Sequence, residues 1–134
     1  MNRDLDLMRE ILLKIDSKII DRTGGYGAPF GIGRFDADFQ FDGYTWDQVA
    51  LNLDLLFDEQ LIRGSNRLSP EDFAIVRLTS KGYDFLDSIR DPDVWQKTRD
   101  GAQKVGRMSV EFLWGIAKEF GKQKIKEKLG IDVG

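Results

Sequence analysis

Apolar positions recur at two different periods along this chain, and the changes of period mark out its elements. Leu5, Met8, Leu12, Ile15 and Ile19 return every three or four residues, which predicts a helix over 4–18 with one apolar stripe. The run 23–33 (TGGYGAPFGIG) breaks it, because glycine and proline carry a large helix-propensity penalty. Phe35, Ala37, Phe39 and Phe41 then alternate with Asp36, Asp38, Gln40 and Asp42, a two-residue period that predicts a half-buried strand with one acidic face. Thr45 with Gln48 has capping-box spacing and predicts a second helix over 46–60.

Leu61-Ile62-Arg63 and 73–78 predict two short strands, joined by the turn-prone stretch 64–70 (GSNRLSP). Thr79 is placed to cap a third helix carrying Phe85, Leu86 and Ile89. Asp91-Pro92 ends that helix and starts a short one, and Ser109 opens a last helix that stops near Gly130. Helix, strand, helix, two-stranded wing, helix is the order of a winged-helix-like α+β domain. The expected organisation is such a domain over 1–98, with a helical C-terminal extension over 99–134 packed on it or on a partner.

Composition narrows the chemistry. The 134 residues include no cysteine and no histidine, which excludes disulfides, thiol nucleophiles and Ser-His-Asp catalysis. An apolar share of 41% and a charged share of 32% place the chain among globular proteins rather than disordered or membrane-spanning ones. No stretch approaches the ~20 apolar residues of a membrane span. The charged opening (MNRDLD) lacks the apolar core of a signal peptide, so the expected location is cytoplasmic. Residues 103–134 carry seven Lys/Arg against four acids, whereas the other 102 residues carry 13 against 19. An acidic body with a basic tail is a poor footprint for coating phosphates.

Three segments carry a family resemblance: 1–9 (MNRDLDLMR) followed by Ile11-Leu12, 51–56 (LNLDLL) followed by Leu61-Ile62 and, most specific of all, 78–91 (LTSKGYDFLDSIRD) with Val94-Trp95 beyond. In these the chain resembles a bacterial and phage-associated group known as domain of unknown function twenty-five thirteen. The resemblance spans most of 1–98 and, more loosely, the C-terminal helix. It implies a winged-helix-like fold and a bacterial or phage origin, and it implies no activity. The family tends to have a histidine where Asn52 and Tyr83 stand, and often a basic residue near Asp54. The Gly-rich segment is longer here.

The second helix occupies the place from which winged-helix proteins read DNA. Trp46, Val49, Ala50, Leu53, Leu56 and Phe57 form its core face, and Asp47, Gln48, Leu51, Asp54, Leu55 and Asp58 the opposite one. That face has no lysine or arginine, although reading DNA needs donors for phosphates and base edges. Leu51 and Leu55 there are expected either to lie under the Gly-rich segment or the last helix, or to meet another chain.

The last helix is apolar over more than half its circumference (Val110, Phe112, Leu113, Trp114, Ile116, Ala117, Phe120) and turns basic beyond Gly121. Packing across the domain, a dimer or partner interface, and an anionic membrane surface all suit such a helix.

The strand carboxylates Asp36, Asp38 and Asp42 invite a hard cation. A solvated acidic face is the simpler expectation, and no catalytic, metal or cofactor residue is assigned. The Gly-rich run lacks the strand before it and the Gly-Lys-Ser/Thr ending of a phosphate cradle. The expected function is a non-catalytic protein-interaction module, a small regulator or accessory subunit contacting a protein partner or a second copy. Leu51, Leu55, Phe112, Ile116 and Phe120 are its contact candidates. The alternative is a DNA-binding regulator using Arg63, Arg67, Lys122 and Lys126.

Overall fold

The computed structural model describes residues 2–20, 27–69, 72–106 and 109–130. Among them lie five α-helices and a three-stranded antiparallel sheet, an α+β arrangement. The chain falls into two compact units, Met1–Tyr83 and Asp84–Gly134, so the division lies within the third helix. The expected boundary at residue 98 falls inside the fourth helix.

The first unit begins with α1 (Leu5–Ile20), which Asp4 opens by accepting from the Leu7 N–H at 3.0 Å. Its apolar face is wider than the five-residue stripe suggests. Leu7 and Ile11 are as buried as Leu12 and Ile15, because α1 packs at once on the sheet, on the next helix and on a 3-10 turn.

The strand expected over 35–41 is not formed. The strand β1 is Phe30–Gly33, and Ala37–Phe39 is a 3-10 turn. Phe35 is 90% exposed while Phe39 is 1% exposed, so the alternating aromatics do not share a face. The reason is local competition. The Asp36 carboxylate accepts from the Asp38 N–H at 3.0 Å and caps a turn, giving the backbone an alternative to the ladder that residue pattern alone does not reveal.

Helix α2 (Trp46–Asp58) starts at Thr45 with both halves of the capping box in place. Strand β2 (Ile62–Ser69) runs through most of the expected loop, β3 is Asp72–Leu78, and the sheet order is β1-β3-β2. Ile32 stands opposite Phe73 and Ile62 opposite Leu78. Phe73 anchors α2 on the sheet, edge-on to Trp46 at 6.1 Å and stacked with Phe57 at 6.2 Å.

The second unit holds the C-terminal part of α3 (Ser80–Ile89), then α4 (Pro92–Val105) and α5 (Val110–Leu129). Asp91 caps α4 through the Asp93 and Val94 N–H groups, with Pro92 in the first turn, and α4 is longer than the short helix expected. Gly106 and Gly130, both left-handed, end α4 and α5. Helices α4 and α5 pack on each other, with Val94, Trp95, Thr98 and Ala102 of one and Val110, Leu113 and Ala117 of the other buried. Thr98 satisfies its hydroxyl by donating to the Val94 carbonyl at 2.7 Å.

Candidate functional site

The contact candidates divide between the two units. Leu51 and Leu55 lie one turn apart on α2, each half-buried, flanked by the exposed carboxylates of Asp47 and Asp58. The buried face of α2 also holds Asn52, which the face assignment from sequence left out.

Phe112, Ile116 and Phe120 follow one another at four-residue spacing on α5, and each is half-buried. Of the nucleic-acid candidates, Arg63 is exposed on β2, and Lys122 and Lys126 are exposed on α5. The side chain of Arg67 lies outside the described residues, as do residues 23–26 of the Gly-rich segment.

The aspartates near residue 36 are engaged with a lysine. Lys18 donates to Asp38 at 2.7 Å, approaches Asp36 at 3.9 Å, and lies over the rings of Phe30 and Phe39 at 5.7 and 5.8 Å. The Lys18 hydrogen bond and charge hold the Asp38 carboxyl below the usual carboxylate range. No group of three His, Cys, Asp or Glu among the described residues is placed to hold a metal ion. Among them, too, no helix is long and apolar enough to cross a membrane.

A feature that sequence reading missed lies in the second unit, where the ends of α3, α4 and α5 enclose an open groove of about 480 Å³. Val94, Ala117, Gly121 and Ile125 form its apolar part. Lys118, Lys122, Lys124 and Lys128 line it from α5, with Asp87 and Asp91 from the α3 and α4 side. The one signal available in sequence is Gly121, Ile125 and Leu129 at four-residue spacing among lysines. Ile125 and Leu129 remain 46% and 64% exposed. At 100° per residue this stripe and the Phe112–Phe120 stripe flank opposite edges of the buried line Val110-Leu113-Ala117.

Asp91 and Lys124 join α4 to α5 at the groove, the ammonium donating to the carboxylate. The Lys124 hydrogen bond, with the Val94 and Asp93 N–H groups, holds the Asp91 carboxyl down to about 2. A depressed carboxyl contributes stability that is complete above its unfolded value of 3.8 and is lost as pH falls towards about 2. Asp91→Asn keeps a competent cap and removes the charge. Acid titration followed by tryptophan fluorescence is therefore expected to show a shallower loss of stability below pH ~4 for Asp91→Asn than for the wild type.

Two glycines interrupt α5, and an added Cβ at Gly115 or Gly121 meets nothing within 4 Å. Gly115→Ala is expected to raise stability by about 1 kcal/mol, read as a higher urea midpoint with unchanged slope.

An α+β chain with a small antiparallel sheet and a helical C-terminal unit is the class that the fold defines. Comparison with known proteins gives the family. Residues 2–108 match the family described as hypothetical protein DUF2513, and the chain belongs to it. An uncharacterized protein of Haemophilus influenzae is 31% identical over 101 residues, covering 74% of this chain and 76% of that protein. No solved structure matches.

Proposed function

We propose that the chain is a non-catalytic protein-interaction module, a small regulator or accessory subunit built on a winged-helix-like scaffold. The order α1, β1, α2, β2, β3, α3 supports that scaffold, with the β2–β3 hairpin in the place of a wing. The observation that carries the functional reading is the character of α2, the helix such scaffolds use on DNA. It has no basic residue, and its exposed side chains include Asp47 and Asp58. The helix itself offers phosphates carboxylates rather than donors, the nearby Arg34 guanidinium being drawn to Asp47 at 4.0 Å.

Hydrocarbon is left accessible instead. Ile125 and Leu129 are open on α5, and Leu51, Leu55, Phe112, Ile116 and Phe120 are half-exposed. A gel shift with duplex DNA at ~50 mM salt, where phosphate contacts are strongest, is expected to show no complex. A complex that weakens steeply with added salt and is lost in Arg63→Ala with Lys122→Ala and Lys126→Ala overturns the reading in favour of a DNA-binding regulator.

A further inference from the structure

The groove at the ends of α3, α4 and α5 has features that no contact assigned above uses. Its apolar part is recessed, since Val94 and Ala117 are 4% and 1% exposed. Its α5 wall runs from Ala117 to Lys128, about 16 Å or three turns of a parallel helix. Its volume of about 480 Å³ lies in the range of specific binding sites, roughly 300–1,000 Å³, enough for a few large side chains.

Its charge is one-sided once the internal pairs are set aside. Asp87 already accepts from Arg90 at 3.1 Å, and Asp91 accepts from Lys124. Lys122 has only a loose contact with Glu119 at 3.8 Å, and Lys118 lies over the Trp114 ring at 4.3 Å. Lys128 has no ion-pair partner among the described residues. The surplus on the rim is therefore positive, above a hydrocarbon floor.

Resting on the reading as an interaction module, we infer that this groove docks an acidic amphipathic helix of a partner protein. Its leucine-type side chains enter over Val94, Ala117, Gly121 and Ile125, and its carboxylates meet Lys118, Lys122 and Lys128. A nucleic-acid strand fits less well, because phosphates want donors along their whole length and find hydrocarbon at the floor, where an amphipathic helix places its leucines. Gly121 is the key position. It lines the groove without a side chain, and an added Cβ there meets nothing within 4 Å, so a larger residue is the natural blocking variant.

The test is fluorescence anisotropy with the full chain and a labelled helical peptide of about 18 residues, roughly five turns. The peptide has leucines at i, i+3, i+4 and i+7 and glutamates elsewhere. A lysine-for-glutamate peptide, a short single-stranded oligonucleotide and phosphatidylglycerol vesicles run beside it. The acidic peptide is expected to bind saturably and the lysine peptide not at all. Gly121→Trp, and separately Lys118→Glu with Lys128→Glu, each weaken binding by about tenfold or more, while Gly121→Ala retains it.

Circular dichroism checks that the variants keep their helix. If the tryptophan variant does not fold, the exposed lysine pair carries the test alone. No saturable binding of the acidic peptide, equal binding of the two peptides, or indifference to a folded blocking variant overturns the proposal. So does binding of the oligonucleotide or the vesicles, in place of the peptide, that the same variants abolish. None of these results touches the interaction reading itself, which stands or falls on recovery of a protein partner from the host.

Discussion

Gly82→Ala is expected to cost about 3–5 kcal/mol, enough to unfold the first unit of a marginally stable chain. A Cβ at this position stands 2.1 Å from the Leu61 carbonyl oxygen and 3.0 Å from its carbon, both backbone atoms. That carbonyl is pinned, because it accepts from the Thr79 N–H at 3.0 Å. Gly82 is held from the other side, donating its N–H to Thr79 Oγ1 at 2.9 Å while the same hydroxyl donates to the Gln60 carbonyl at 2.6 Å. Lys81 adds a bond to the Glu59 carbonyl at 3.1 Å.

The first turn of α3 is thus seated on the backbone of 59–61, and relief requires lifting it off. Thr79, Lys81 and Gly82 are the residues that make the seat. Urea unfolding reads the effect, and a Gly82→Ala variant within about 0.5 kcal/mol of wild type contradicts it.

The second large effect is at Asn52, fully buried on α2. Its Oδ1 accepts from the Asp4 N–H at 2.9 Å and its Nδ2 donates to the Gln48 carbonyl at 2.9 Å, tying the start of α1 to α2. Asn52→Leu keeps the branched heavy-atom skeleton but strands the Asp4 N–H, at a cost of about 2–3 kcal/mol. Neutral histidine offers one donor and one acceptor, the same pair of functions that Asn52 uses here. Asn52→His is therefore expected to recover part of the loss. Equal destabilisation by leucine and histidine contradicts the assignment of a donor–acceptor bridge.

Most of the helical framework was legible in sequence, because caps and periods are local. Thr45 with Gln48, Asp91-Pro92, and Ser109 with Gly130 each mark a boundary through bonds to residues a few positions away. What escaped depends on distant parts of the chain or on side chains competing with backbone. The alternating Phe35–Phe41 run has the period of a strand, yet Asp36 turns it into a 3-10 segment and β1 pairs through Phe30–Gly33. Gly82 looks like an ordinary weak point in a helix until the Leu61 carbonyl is placed against it. The groove is invisible for the same reason, since Asp87, Asp91 and Val94 meet Gly121 and Ile125 only once α3, α4 and α5 are assembled. Placing Leu51 and Leu55 opposite the core needed only helical geometry. Their half-buried state, rather than full exposure, needed the fold.

Co-purification of the full chain from its native host, with and without nuclease treatment, tests the interaction reading most directly. The account predicts a protein partner that remains in fixed ratio after nuclease and is depleted by Leu51→Asp with Leu55→Asp in a variant that keeps its circular dichroism. Associated material that disappears with nuclease, or a chain recovered alone under both conditions, contradicts it.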